Sequence, residues 1–324
     1  MTKWRPRAVV PGLVWTAAVA LCAWGLSHVV PLLGAPVLAI LVGIAVSLAH
    51  HPPARASSGI AFSSTVLLQL AIVLLGSTLA LGQILRVGAK SLPVMLGTLA
   101  VALAGAVLIG RALRVSPRLR ALVGVGTGIC GASAIAAVAG IVEATQAEIA
   151  YAISTIFVFN VVAVILFPPL GRLFHLSQHG FGLWAGTAVN DTSSVVAAAY
   201  AYGHAAGAQA VVVKLTRTTL IVPIALGLSA IHARGRPARL VPPFLVLFVL
   251  ASVLDTAGLV GADARRVLAD VALGFITVAL AGVGLGADLG GMRRTGLRPL
   301  VLGAILWVLV ASTSIGLQAL TGQL

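Results

Sequence analysis

Apolar residues fill most of this chain in runs of about 20, the length that an α-helix needs to cross the hydrocarbon core of a bilayer. Short segments with proline, glycine, serine or arginine separate the runs, and this pattern predicts about nine uninterrupted spans. Two further segments of similar length carry polar and small residues in their middle. The pattern indicates an all-α polytopic membrane protein. The uninterrupted spans are predicted at Val9–Ser27, Leu32–Ala49, Ile60–Leu81, Leu92–Leu113, Ile149–Leu170, Ala208–His232, Val241–Leu259, Val267–Leu289 and Leu297–Leu320.

The two interrupted segments, residues 117–142 and 178–202, resemble each other when the sequence is shifted by about 60 residues. The first contains GVGTGICGASAIAAVA (Gly124–Ala139) and the second contains TAVNDTSSVVAAA (Thr187–Ala199). Irregular backbone at membrane depth is tolerated only inside protein or beside a water-filled cavity, and paired interruptions are typical of transporter cores. The shift aligns Thr127 with Thr187, Cys130 with Asn190, Gly131 with Asp191 and Ser133 with Ser193.

The path of each interrupted segment has two interpretations. If both segments cross the bilayer, they run parallel; if each is a re-entrant hairpin, they enter from opposite sides and are related by inversion. A second match, between Leu74–Lys90 and Gly282–Arg298, relates an outward-going span to an inward-going one. Inverted internal repeats are typical of secondary transporters. We therefore expect one transmembrane domain, residues 1–324, with halves at about 1–170 and 171–324.

Composition supports a membrane location, because 60% of the residues are hydrophobic, only 9% are charged and the mean hydropathy is +1.10. Soluble domains are about one-quarter charged. The net charge of +14 comes from arginines and lysines in connecting loops, mainly on the side of the N-terminus. The positive-inside rule places that side in the cytoplasm and the C-terminus outside. Because no aromatic residues are interleaved among these bases, nucleic acid is not an expected partner.

Asp191 is the acidic residue predicted in the middle of an interrupted segment, where an ionised group is costly and usually functional. Its alternative role is a hydrogen-bonded N-cap for a helix that starts at Thr192. Lys214 and Arg217 share one helical face in VVVKLTRTTLIV and repel each other unless an acid or a bound anion lies between them. The alternative is that both side chains extend to the membrane interface. Asp191 is the expected counter-charge.

Small hydrogen-bonding side chains at the two interruptions complete the candidate site. Half-helix N-termini there would offer N–H groups to an anion, although small residues also let transmembrane helices pack closely. Asn160, in FVFNVV, either bonds a neighbouring interruption or joins helices. The predicted substrate-binding residues are Thr127, Cys130, Gly131, Ser133, Asn190, Asp191, Thr192, Ser193, Lys214 and Arg217.

Other chemistry has no support in the sequence. The chain lacks a Walker loop, a nucleophile elbow and zinc-ligand spacing. We therefore expect neither an enzyme, nor an ATP-driven pump, nor a metal site. No cofactor is expected beyond a coupling proton or sodium ion.

Several stretches of the chain resemble the YeiH-type family of bacterial sulfate exporters. The resemblance implies an inner-membrane transporter near the bile-acid symporters and sodium/proton antiporters, in which two broken helices cross at the substrate site. Members of the family usually carry His-Asp where this chain has Asn190-Asp191. The matching stretches are GIAFSSTVLLQLAIVLLG (Gly59–Gly76), GTGICGASAIAAVA (Gly126–Ala139), FGLWAGTAVNDTSSVVAAA (Phe181–Ala199), KLTR (Lys214–Arg217) and TGLRPLVLG (Thr295–Gly303).

The residues and the resemblance together predict a secondary transporter. It would export a small anion, such as sulfate or an organic sulfonate or carboxylate, by alternating access around the two interruptions. Its expected partners are that anion and the lipid bilayer. A second copy of the chain, in a homo-oligomer, is a further candidate partner. The alternatives are an ion-binding membrane subunit or sensor without transport, a sodium-coupled organic-anion symporter, and a passive channel.

Overall fold

The computed structural model describes residues 6–29, 34–50, 52–221, 223–224, 227–228, 243–286 and 297–324, and all regular structure in these ranges is helical. Within the described ranges, six helices are long and apolar enough to cross a membrane, by length and composition. The prediction of an all-helical protein with several apolar spans is confirmed for these ranges. The six helices are α1 (Pro6–Val29), α3 (Ala54–Gly76), α4 (Leu81–Ala112), α7 (Gln146–Leu173), α12 (Ala262–Leu285) and α13 (Leu297–Thr321).

The remaining helices whose bounds lie within the described ranges are shorter. Two of them are apolar, α2 (Gly34–Ala49) and α11 (Pro243–Thr256), with 16 and 14 residues. The other five include the two interrupted segments: α5 (Pro117–Gly128), α6 (Ala132–Ala139), α8 (Gln178–Ala188), α9 (Thr192–Tyr202) and α10 (His204–Thr219). The predicted span Ala208–His232 begins inside α10 and continues beyond the described residues. Much of the second repeat copy, including Gly290, Arg294 and Gly296, also lies outside them.

The sequence leaves Gly82–Ser91 as a connection between the predicted spans Ile60–Leu81 and Leu92–Leu113. This prediction was wrong, because the segment forms the first turns of α4. The chain turns earlier, at residues 77–80. There the hydroxyls of Ser77 and Thr78 donate to the carbonyls of Leu74 and Leu75, at 2.6 and 2.8 Å. Such local bonds offer the backbone an alternative to a continued helix.

The sequence leaves Glu143–Glu148 as a loop between the first interrupted segment and the span Ile149–Leu170, and in the structure this loop is shorter. A capping box starts α7 inside it: the Thr145 hydroxyl accepts from the Glu148 amide, and the Glu148 carboxylate accepts from the Thr145 amide. This reciprocal pair satisfies amide groups that a helix start otherwise leaves open. The helix therefore begins three residues before the predicted span.

The described residues fall into two compact units that interleave along the sequence. The first unit is drawn from Met1–Ile84, Val196–His204 and Pro243–Asp288. The second is drawn from Leu85–Val195, Ala205–Pro242 and Leu289–Leu324. One domain with two sequential halves stays a prediction.

Glycine pairs bring the helices of the first unit close together. Gly12 on α1 lies against Gly59 on α3, and Gly43 on α2 lies against Gly284 on α12, where an added Cβ would collide with backbone. Close backbone approach at small residues is the usual way in which transmembrane helices pack.

The second unit holds both interruptions, and aromatic packing fixes α8 within it. The Trp184 ring on α8 stacks on Phe167 of α7 with centroids 4.0 Å apart. Its indole N–H donates to the carbonyl of Ala311 on α13 at 3.1 Å. Stacking and a buried indole hydrogen bond together restrict the ring's orientation. The end of α8, where the second interruption begins, is therefore held between α7 and α13.

Candidate functional site

Both interruptions occur where the sequence predicts them. The first separates α5 from α6 at residues 129–131, and the second separates α8 from α9 at residues 189–191. At the first, Gly131 has φ +67°, a backbone conformation that L-residues rarely adopt. Its amide donates to the carbonyl of Gly126 at 2.9 Å. Beyond this turn, Ile135 of α6 packs back against Gly126 of α5.

The chain enters α5 and α8 through the same local structure. Before α5, Arg114 has φ 55°, and its amide donates to the carbonyl of Arg111 at 3.0 Å. Before α8, His175 has φ 52°, and its amide donates to the carbonyl of Arg172 at 3.1 Å. Each turn leads to a serine N-cap, Ser116 for α5 and Ser177 for α8. The shift of about 60 residues therefore relates local structure as well as sequence.

The two interruptions meet in the second unit. A Cβ built on Gly131 would lie 3.4 Å from the Cβ of Asp191 and 3.6 Å from the carbonyl carbon of Asn190. Gly131 and Asp191 are the residues that the sequence shift aligns. The corresponding points of the two segments are thus neighbours in space.

Lys214 joins the two half-helix ends. Its ammonium donates to the carbonyl of Ile129 at 3.0 Å and to the carbonyl of Val189 at 2.9 Å. These residues are the C-caps of α5 and α8. Helix C-termini carry unsatisfied carbonyls and a partial negative charge, which a cation stabilises. The Lys214 side chain is fully buried, so the alternative of an extension to the membrane interface does not apply.

Arg217 lies one helical turn further along α10 and is also fully buried. Its Nη1 donates to the carbonyl of Thr187, in the last turn of α8. Its Nε and Nη2 have no hydrogen-bond partner in the described part of the chain. Nor does any carboxylate of the described residues form an ion pair with Lys214 or Arg217. Burying a charge without a counter-charge is expensive.

Asp191 is bonded elsewhere and is not an ion-pair partner of these cations. Its Oδ1 accepts from the Ser194 amide at 2.8 Å, the geometry of an N-cap on α9, and from the Ser193 hydroxyl. Its Oδ2 accepts from the Ser194 hydroxyl at 2.9 Å and from Nδ2 of Asn160. Four donors therefore surround the carboxylate, and the capping alternative describes its contacts.

Asn160 on α7 bonds the second interruption directly. In addition to its contact with Asp191, its Oδ1 accepts from the amides of Asn190 and Asp191, at 3.0 and 3.4 Å. A residue in the middle of an uninterrupted span thus supplies partners for backbone that has left the helix. The predicted hydrogen bonding of Asn160 to a neighbouring interruption is confirmed.

The other predicted residues divide into buried and exposed groups. Thr127 and Asn190 are each 1% exposed, and within the described residues the Thr127 hydroxyl and both polar atoms of the Asn190 amide have no partner. Cys130 is buried, and the Thr218 side chain on α10 lies near its thiol. Ser133 is exposed on α6 and Thr192 is half-buried, so neither belongs to the buried group.

Two polar residues on α13 extend the site and were not predicted. The Ser314 hydroxyl lies 2.7 Å from that of Thr187, and Gln318 Nε2 donates to the Ser314 hydroxyl at 3.1 Å. Ser314 and Gln318 are both fully buried. They are four residues apart in STSIGLQ, a spacing that places them on one helical face and could have marked them. The described residues contain no group of three acidic, histidine or cysteine side chains that could hold a metal ion.

Comparison with known proteins finds close relatives along almost the whole chain. A family profile described as "Conserved hypothetical protein 698" matches residues 11–303. A UPF0324 membrane protein of Streptococcus pyogenes serotype M3 is 42% identical over 330 residues, covering 97% of each chain. Another from Streptococcus agalactiae serotype V is 39% identical over 328 residues, covering 97% of this chain and 98% of the relative. One from Clostridium tetani is 37% identical over 335 residues, covering 96% and 97%.

Proposed function

The chain belongs to the family described as conserved hypothetical protein 698, together with the UPF0324 membrane proteins, and we propose that it is a secondary transporter of a small oxyanion. One observation carries the proposal. Lys214 and Arg217 are fully buried one helical turn apart, with no carboxylate partner among the described residues. Asp191 acts on Lys214 only at a distance, without an ion pair, so a bound anion would supply the direct counter-charge that the two cations lack. Sulfate and organic sulfonates or carboxylates are the substrate classes, and the YeiH-type resemblance favours sulfate.

The unpartnered edge of Arg217 suits an oxyanion. Nε and Nη2 form one side of the planar guanidinium, and two N–H groups on one side bind two oxygens of a carboxylate, sulfonate or sulfate in parallel. The Thr127 hydroxyl and the Asn190 amide add neutral donors without partners in the described chain. Charge-assisted hydrogen bonds in a buried site are about twice as strong as neutral ones. Arg217 therefore supplies the positive charge that attracts the anion, and the neutral donors orient it.

The interruptions suit a site at the depth of the bilayer midplane. The 12 residues of α5 and the 11 of α8 give lengths of about 16–18 Å at 1.5 Å per residue, roughly half of the 30 Å hydrocarbon core. The packing of Ile135 against Gly126 supports a re-entrant hairpin for the first segment. We extend this form to the second segment, so that the two hairpins enter from opposite faces, with the N-terminus in the cytoplasm of a bacterial inner membrane.

The contacts of Lys214 indicate which ion could be coupled to transport. In broken-helix transporters, exposed carbonyls and helix C-terminal ends coordinate sodium. Here the carbonyls of Ile129 and Val189 already bind the ammonium of Lys214, which takes the place of such a cation. Asp191 likewise has four donors around its carboxylate. We therefore expect transport to proceed without sodium and to be driven by proton coupling or by anion exchange.

Flux in proteoliposomes tests the proposal. Purified protein is reconstituted with labelled sulfate, taurine or malonate inside, and efflux is followed in sodium-free buffer. At least one anion should leave at carrier rates from wild-type vesicles and from vesicles with Lys90→Gln, which changes an exposed lysine on α4. Arg217→Gln should abolish that efflux. Binding without flux would instead support the sensor alternative, and flux far above carrier rates would support a channel.

A further inference from the structure

A separate cavity of about 400 Å³ lies in the second unit, along α4 and α5. It is distinct from the site around Lys214, because neither cation nor either interruption lines it. Its walls are almost entirely aliphatic. The cavity is also lined by two arginines, Arg111 and Arg120. The other lining residues are Leu103, Ala106, Val107, Pro117, Ala121, Gly124, Val125, Ile224, Gly227 and Leu228.

The two arginines come from neighbouring helix ends. Arg111 is exposed in the last turn of α4, and Arg120 is half-buried in the first turns of α5. The aliphatic stem of Arg120 packs on Gly110, where an added Cβ would lie 2.5 Å from its Cγ and Cδ. Gly110 therefore gives Arg120 the room to lie against α4. Both arginines thus line one cavity.

The cavity opens toward lipid. Val107 lines it and is 44% exposed, and the next residue of α4, Leu108, is 66% exposed. Large exposed aliphatic side chains on a helix long and apolar enough to span a membrane face hydrocarbon. Arg111 follows at the end of the same helix, where a span reaches the headgroup region. The cavity therefore has an apolar body beside the acyl chains and a cationic end near the headgroups.

We propose that this cavity binds an anionic phospholipid, with an acyl chain along the apolar wall and the phosphate between Arg111 and Arg120. Basic pockets between transmembrane helices bind anionic headgroups. A free inorganic anion matches the arginines but not the aliphatic wall, since a charge gains nothing from an apolar surface. A zwitterionic lipid matches the wall but brings a positive group to the arginines. Of these three ligands, only an anionic lipid suits both the aliphatic wall and the pair of arginines.

Native mass spectrometry of the detergent-purified protein tests this inference. Phosphatidylglycerol and phosphatidylcholine with the same acyl chains are added in turn, and the one-lipid adduct is titrated. Phosphatidylglycerol should bind more tightly than phosphatidylcholine. Arg111→Gln and Arg120→Gln should each weaken phosphatidylglycerol binding about fivefold. Arg118→Gln is the matched control, because Arg118 is exposed on the same helix as Arg120 and does not line the cavity.

A second pair of variants tests the acyl chain. Ala121→Phe fills the cavity and should reduce the adduct, whereas Leu108→Phe, on the lipid-facing surface beside it, should not. Equal binding of the two lipids, or equal losses in Arg118→Gln and Arg111→Gln, would overturn the proposal. So would full competition by soluble glycerol 3-phosphate, or an Ala121→Phe variant that binds like wild type, because either result would assign the contact to the headgroup alone.

Discussion

Gly131 and Asp191, which occupy corresponding positions in the two interruptions, lie against each other: a Cβ on Gly131 would be 3.4 Å from the Cβ of Asp191. The ammonium of Lys214 donates to the carbonyls of Ile129 and Val189, two residues before each of these positions. Two irregular segments are therefore joined by one cation. Because that cation and Arg217 lack a carboxylate partner among the described residues, the same arrangement that holds the interruptions together is suited to bind an anion.

Alanine at Gly131 should destabilise the fold. With φ +67° and ψ −129°, Gly131 holds a backbone conformation that only glycine adopts readily and that costs an L-residue about 1–3 kcal/mol. Thermal unfolding in detergent should show a lower midpoint for Gly131→Ala. Gly140→Ala is the matched control, since Gly140 has helical φ and ψ and open space around an added Cβ. A midpoint for Gly131→Ala equal to that of Gly140→Ala would contradict the strained turn.

Methionine at Lys214 should loosen both half-helix ends. The substitution keeps an unbranched side chain but leaves the carbonyls of Ile129 and Val189 without their donor, at about 1–3 kcal/mol for each buried carbonyl. The unfolding midpoint of Lys214→Met should therefore fall below that of wild type. Lys90→Met, on an exposed part of α4, should leave it unchanged. If both lysine variants unfold together with wild type, Lys214 does not hold the half-helices.

The proposed hairpins make a prediction about sidedness. In a background where Cys22 and Cys130 are replaced by serine, Arg118→Cys and His179→Cys place single exposed thiols at the starts of α5 and α8. A membrane-impermeant maleimide applied to intact cells should label His179→Cys only. In inverted membrane vesicles it should label Arg118→Cys only. Labelling of both thiols from the same side would show instead that each interrupted segment crosses the bilayer.

Sequence patterns predicted the interruptions because local chemistry sets them. Glycines, prolines and polar residues in an apolar background mark the places where a helix ends, and α8 begins at the predicted Gln178. Asn160 was also identifiable, as an isolated amide in an apolar span. The role of Asp191 was harder to assign, since an acid in an interruption is equally suited to cap a helix and to bind an ion.

Contacts between residues far apart in the chain could not be predicted from the sequence pattern. Lys214 donates to backbone carbonyls 85 and 25 residues away. Because every residue has a backbone carbonyl, the sequence does not show which ones accept a hydrogen bond. Asp191 was the obvious counter-charge, yet closer donors surround it. The spacing of Ser314 and Gln318 places both on one face of α13, but only the packing of α13 against α8 brings Ser314 to Thr187. The start of α4 was missed because Gly82 and Gly88 are tolerated inside a helix that tertiary contacts support.

Anion-induced stabilisation of purified protein tests the central claim most directly. Unfolding midpoints are measured with sulfate, methanesulfonate, acetate or chloride at equal ionic strength, for wild type, Arg217→Gln and Lys90→Gln. A ligand at 100 times its dissociation constant stabilises a folded protein by about 2.7 kcal/mol. We expect at least one oxyanion to raise the midpoints of wild type and Lys90→Gln above their values in chloride, and to leave Arg217→Gln unchanged. An equal rise in Arg217→Gln, or no rise in wild type with any oxyanion, would contradict an anion site at the buried cations.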